Sequence, residues 1–277
     1  MYAISSPATR KDHLSKITGN EKYTGDIKFA RDGSEILSGR ILRSPFAHGK
    51  LLSVKIPDLP EGYSYISADD APRNVCYYPC NDLPADTDEE TREMIRNGTP
   101  IFAKDMIEFA GQPIGMFIGP DFNLLKKLAD ETVLEYEEFP PVVKLEKASD
   151  VMLELKRSYG NPDADFLNAD FVYEETISTG RQYQAYLETQ TMIAEPEGED
   201  RILIHGSLQC PFTLRESVAY SMDCDPSKIH ICQNPTGGAF GGKEDFPSYI
   251  APMLAVAVKK LNRAVRLTLD RQEDIQV

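Results

Sequence analysis

The chain has 277 residues, enough for about two domains at ~150 residues each, and its 41% hydrophobic and 27% charged content is an ordinary globular balance. A net charge of −14, with no lysine–arginine block, leaves no basic face to neutralise phosphates, so a nucleic-acid partner is not expected. No apolar run approaches the ~20 residues of a membrane span and the amino terminus lacks a signal-peptide core, so no membrane association is expected.

The five cysteines, Cys76, Cys80, Cys210, Cys224 and Cys232, are odd in number and scattered, which suits a reducing cytoplasm. With four histidines and no C-x-x-C, the chain offers no self-contained zinc or iron–sulfur site.

In chain order, a polar segment runs to about Ser15, and Arg10-Lys11-Asp12 within it reads as a solvated or interchain-docking arm. Strand patterns follow at Ile36 to Arg43, Leu51 to Ile56 and Tyr63 to Ser67. His48, in the turn between the first two, reads as a structural or surface imidazole. Residues 72–100 are loop-rich, and the acidic run from Asp82 to Glu93 reads as a solvated surface. Strands at Met106 to Ala110, Ile114 to Ile118 and Thr132 to Phe139 enclose a helix from Asp121 to Glu131. This is the order of a compact α+β domain. Charged and turn residues dominate between Pro140 and Asp165, which places a domain boundary near residue 150.

The second half reads as strands at Asp170 to Ser178, Thr191 to Glu195 and Arg201 to Gly206, the last two joined by a hairpin turn at Pro196 to Asp200. A helix from Pro211 to about Asp223 follows. After it come a strand at Lys228 to Cys232, a glycine-rich loop, a helix at Tyr249 to Leu261 and a strand at Ala264 to Leu269. Pro252 predicts a kink or late start in that last helix. Two short strand-to-helix turns stand out: Ser207-Leu208-Gln209-Cys210-Pro211 and the glycine loop. If their strands are neighbours, both turns open on one side of a sheet, where ligands usually sit.

The glycine loop, Thr236-Gly-Gly-Ala-Phe-Gly-Gly-Lys-Glu-Asp245, allows bare backbone N–H groups to converge on an anion. It satisfies G-x-x-x-x-G-K from Gly237 to Lys243, but Glu244 stands where a nucleotide-triphosphate loop needs Ser or Thr for Mg²⁺. The dinucleotide pattern fails too, because Ala239 occupies its middle glycine. Two readings stay open from the loop itself: a glycine-rich structural turn, or a site for a polar anionic ligand other than a triphosphate.

The run T-G-G-A-F-G-G-K-E resembles the cofactor loop of the molybdenum hydroxylases, the xanthine dehydrogenase and aldehyde oxidase family. The resemblance continues at Gly19 to Asp26, Arg43 to His48, Gly111 to Gly115, Tyr186 to Gln190, Gly206 to Gln209 and Leu269 to Asp274. These markers span nearly the whole chain in family order. They imply an α+β fold: an α/β-hammerhead domain over residues 1–150 with an N-terminal arm, then the first, incomplete part of a molybdopterin-binding domain over residues 151–277.

The resemblance further implies site residues. Gln209 matches a glutamine within hydrogen-bond reach of an oxo or sulfido ligand of the molybdenum, with no direct metal ligand from this chain. Gly238, Ala239, Phe240 and Gly241 match the loop that lies against the molybdopterin, with Ala239 where many relatives have glycine. Glu244 matches a position that contacts a purine substrate in xanthine-type members; its alternative is a helix-start carboxylate favoured by the dipole. Glu188 reads as interior and structural and is assigned no chemistry.

The family's catalytic glutamate and substrate-orienting arginine fall beyond these motifs, so no catalytic residue is matched here. The expectation is therefore part of a molybdenum-dependent hydroxylase, oxidising a purine or related N-heterocycle with water as oxygen source. The chain is expected to be inactive by itself and to need a complementary polypeptide, as a divided subunit or a truncated product. 2Fe–2S and FAD centres are expected on partner chains. The alternative is a non-catalytic binding or assembly subunit on the same scaffold.

Overall fold

The computed structural model describes residues 10–77, 83, 86–96, 98–149, 151, 154 and 159–276. The first nine residues of the polar arm, Cys80, Asp82 with part of the acidic run, and residue 150 at the expected boundary lie outside the described residues.

The described residues form a mixed α+β fold. Strands β1 (Leu37–Arg43), β2 (Gly49–Lys55), β3 (Ser64–Ser67), β4 (Met106–Ile107), β5 (Pro113–Gly119) and β6 (Val133–Glu138) come from the first half. The second half supplies β7 (Thr191–Glu197), β8 (Arg201–Gly206), β9 (Ile229–Gln233) and β10 (Val265–Thr268). Helices are α1 (His13–Ile17), α2 (Glu89–Arg96), α3 (Phe122–Asp130), α4 (Pro162–Asn168), α5 (Pro211–Ser221), α6 (Pro247–Leu261) and α7 (Arg271–Gln276). Asp121 caps α3 by accepting from the Asn123 N–H at 2.9 Å. No helix among the described residues is long and apolar enough to cross a membrane.

A seven-stranded sheet has the order β3-β5-β1-β10-β7-β8-β9, and β4-β2-β6 form a three-stranded sheet. The larger sheet joins strands from both halves, since β1 pairs in parallel with β10 through Leu37↔Val265. The expected boundary near residue 150 falls within a separate compact unit, Pro141–Tyr183; the first unit is Met1–Pro140 with Gln184–Val277.

Strand alternation divides the core of that first unit. Leu37, Ile41, Met116, Ile118, Met192, Ala194 and Ile204 join Leu214 and Val218 of α5 and Leu254 and Val258 of α6. Leu42 and Phe117, on the opposite face of the same strands, pack with Leu51, Ile107, Leu125 and Leu128. Helix α6 runs through Pro252 and starts two residues before its expected position, with Pro247 in its first turn. Asn262 ends it in the left-handed region at φ +48°, with Lys259 and Lys260 in the last turn.

The unit Pro141–Tyr183 contains α4, whose Asn161 side chain accepts from the Ala164 N–H at 3.3 Å. Residues 170–178, expected as a strand, are exposed and form no strand.

Candidate functional site

The condition set by the two strand-to-helix turns is met. Strands β8 and β9 are adjacent and parallel, in register from Ile202↔Ile229 to Gly206↔Gln233. The turn after β8 and the glycine loop after β9 therefore leave the same end of the sheet, at the carboxyl ends of both strands. Two hydrogen bonds tie them together further: Gln233 Nε2 donates to Leu208 O at 2.6 Å, and the backbone Asn234 N–H donates to Gly206 O at 2.9 Å.

Within the loop the backbone turns twice through the left-handed region, at Gly238 (φ +97°) and Gly241 (φ +92°). Phe240 between them also has positive φ, +53°, which is rare for a bulky residue and stores local strain. The residue is 78% exposed. Gly237 is needed for a different reason, since a Cβ there would come within 2.6 Å of Glu188 Cβ. Short turns close the loop through Gly242 N–H to Ala239 O at 2.9 Å and Glu244 N–H to Gly241 O at 3.2 Å. The N–H groups of Gly238, Ala239, Phe240 and Gly241 have no hydrogen-bond partner among the described residues.

Gln209 is held by the loop's exit. Its N–H donates to Lys243 O at 2.8 Å, and its Oε1 accepts from the Lys243 N–H at 3.3 Å. A backbone N–H can meet only the oxygen of the amide, so this bond fixes which way the amide points. Gln209 Nε2 is left without a partner among the described residues, on an exposed side chain.

Lys243 does not face outward. It is wholly buried, its ammonium directed at Glu188 and Ser207. Burial holds its pKa below the ordinary lysine value, although Glu188 beside it pulls the other way. A lysine so placed cannot reach the phosphates of a triphosphate lying on the loop, which removes the basis for the G-x-x-x-x-G-K reading.

Glu244 is exposed, and its Oε1 lies 3.9 Å from Cys210 Sγ, so it sits beside the turn that carries Gln209. Burial, then the charges of Glu244 and Asp245, push the Cys210 thiol pKa up. Glu244 precedes Phe246, the residue that caps α6, and so lies outside that helix's first turn.

The loop also rests on residues whose side chains sequence reasoning left without a role. Gln190 Nε2 donates to Gly242 O at 2.6 Å and to the Tyr186 hydroxyl at 3.0 Å. The Tyr186 O–H donates to Asp274 Oδ1 at 3.1 Å, which also accepts from the Gln190 N–H at 3.2 Å. Both Tyr186-Leu-Glu-Thr-Gln190 and Leu269 to Asp274 were visible as motifs. Their common target, the far side of the glycine loop, depends on long-range folding. No group of three or more His, Cys, Asp or Glu among the described residues could hold a metal ion.

The donor set fits a molybdenum–pterin group. An uncommitted neutral amide and a run of uncommitted loop N–H groups are the chemistry that accommodates anionic and metal-bound oxygens without adding charge.

Comparison with known proteins follows the same line. Residues 145–277 match the family described as the molybdopterin cofactor-binding domain. Xanthine dehydrogenase of Emericella nidulans is 33% identical over 272 residues, covering 95% of this chain and 19% of that protein. Aldehyde oxidase 4 of Rattus norvegicus is 29% identical over 269 residues, covering 94% of this chain and 19% of that protein. The chain thus spans about a fifth of the length of the curated relatives it matches. Among solved structures, quinoline 2-oxidoreductase from Pseudomonas putida 86 superimposes with a TM-score of 0.77 at 22% identity, covering 98% of this chain and 35% of that one. Aldehyde oxidoreductase from Desulfovibrio gigas gives 0.77 at 17% identity, covering 96% of this chain and 30% of that one.

Proposed function

Because this chain belongs to the molybdenum hydroxylase family of xanthine dehydrogenase and aldehyde oxidase, we propose that it supplies part of the molybdenum–pterin site of a hydroxylase. The enzyme oxidises a purine or related N-heterocycle, with water as the oxygen source. The observation that carries this reading is the paired bond between Gln209 and Lys243, which leaves Gln209 Nε2 free beside a loop whose N–H groups at Gly238, Ala239, Phe240 and Gly241 are also uncommitted.

When bound, the molybdenum cofactor supplies the two-electron redox centre. Gln209 would donate from Nε2 toward it, and the loop N–H groups from Gly238 to Gly241 would hold it by hydrogen bonds. Phe240, exposed in the chain by itself, would give the group an apolar surface and exclude water there. Glu244 accepts from, or when protonated donates to, the ring nitrogens of the substrate.

Residues 1–150 are assigned to an α/β-hammerhead domain and residues 151–277 to the start of the pterin-binding domain. A complementary polypeptide carries the catalytic base, and partner subunits or domains carry 2Fe–2S and FAD centres. The complex acts in the cytoplasm. Metal analysis and pterin fluorescence of the native complex test the proposal: molybdenum and pterin in proportion to this chain support it, and a complex free of both overturns it.

A further inference from the structure

The wholly buried Lys243 ammonium meets Glu188 Oε2 at 3.0 Å and Ser207 Oγ at 3.0 Å, and lies 4.9 Å from the centre of the Tyr186 ring. The same Glu188 oxygen accepts from the Gly237 N–H at 2.7 Å, and the Glu188 N–H donates to Gly237 O at 3.1 Å. One carboxylate therefore holds the first glycine of the loop and the lysine that follows its last glycine. The missing Cβ of Gly237 permits this approach. The lysine in turn divides its groups: its ammonium reaches Glu188 and Ser207, while its main chain grips Gln209, two residues beyond Ser207.

We infer that Glu188 and Lys243, with Ser207, form a buried clamp that closes the base of the glycine loop and sets the position of Gln209. They are positioning residues that face away from any ligand on the loop. A charge pair suits this task better than an apolar contact. An ammonium and a carboxylate out of water tolerate little displacement, because each is costly to leave unpaired and their attraction depends steeply on geometry. The clamp thus converts three segments distant in sequence, 186–190, 207–209 and 237–243, into one rigid edge. Its consequence for cofactor binding rests on the function proposed above; its geometry does not.

The test is hydrogen exchange on the full chain, read on peptides covering residues 236–244 and, as reference, on α5. Glu188→Gln and Lys243→Met are each expected to accelerate loop exchange ~10–100-fold, because each leaves one buried charge unpaired. The double variant, which removes both charges, is expected to recover part of that loss. Ser207→Ala leaves the charges paired and so keeps the fold if the other variants do not; a several-fold acceleration confined to the loop is expected. In ¹⁵N spectra of Ser207→Ala the Gln209 side-chain amide should shift, which a merely structural role for Ser207 would not produce. Loop exchange unchanged in Ser207→Ala, an unmoved Gln209 amide, or equal acceleration in α5 and the loop overturns the clamp. These readouts need no cofactor, so a native complex without molybdenum would remove the proposed function and leave the clamp to be judged separately.

Discussion

Gln209 and Lys243 hold each other by two hydrogen bonds in opposite directions: the Gln209 N–H to Lys243 O at 2.8 Å, and the Lys243 N–H to Gln209 Oε1 at 3.3 Å. The second bond uses up the amide oxygen and turns the amide nitrogen into the side chain's available group. It follows that Gln209→Glu and Gln209→Leu act differently. Both lose the donor, but the carboxylate keeps the bond to the Lys243 N–H and adds charge. In the native complex both are expected to lose kcat by ~10–100-fold, the range for residues that support a metal centre from outside its ligands. Loop stability should fall by about 1 kcal/mol in Gln209→Leu alone. Steady-state kinetics and urea melts separate the two effects.

Two of the three left-handed positions in the loop predict opposite signs. Gly241 sits at φ +92° and Phe240 at φ +53°. Gly241→Ala should destabilise by about 1 kcal/mol or more, because the new Cβ strains a backbone that cannot relax without opening the loop. Phe240→Gly should leave stability unchanged or raise it by up to ~1 kcal/mol, since the exposed ring contributes little packing and the strain is relieved. Thermal melts of the two variants measure both. A stabilised Gly241→Ala protein would contradict the loop geometry.

Proximity of Glu244 to the Gln209 turn can be read through Cys210. Its thiol pKa is raised first by burial and then by the charges of Glu244 and Asp245. Glu244→Gln removes the nearer charge, at 3.9 Å, so more thiolate should be present at pH 8. Iodoacetamide alkylation at Cys210, followed by mass spectrometry, should quicken by about 2–5-fold. An unchanged rate would place Glu244 away from the turn.

Cys76 sets an alkaline limit. Burial pushes its thiol pKa up to about 12 from the usual 9.0. In this range the unfolded chain gives up the proton while the folded chain keeps it. Stability is therefore unaffected below about pH 9 and falls as pH rises from there toward 12, with a slope of at most about 1.4 kcal/mol per pH unit from this group. Urea melts at pH 8, 9.5 and 11 should show a flatter alkaline decline in Cys76→Ala than in the parent protein. Equal slopes would mean that the thiol is not shielded in the fold.

What the sequence made legible was local. Strand β8, the helix after Pro211 and the glycine loop are bounded by breakers and periodicity that a short window contains, and they appear where expected. The partnership of β1 with β10 was not legible, since strand pattern carries no information about a distant neighbour. Residues 170–178 show the converse: their composition favours a strand, yet they form none. The motif around Gln209 and Phe240 could be read as a candidate site from residue types. The support beneath it could not, because nothing in a short window pairs Glu188 with Lys243, 55 positions away, or shows that the fold buries the lysine completely.

The most direct measurement is an experimental density map of the native complex that contains this chain. A metal–pterin group is expected against residues 238–241, with Gln209 Nε2 and loop N–H groups within ~2.7–3.2 Å of its oxygen or nitrogen atoms. Metal and pterin bound elsewhere in the complex, with Gln209 Nε2 facing only water, would contradict it.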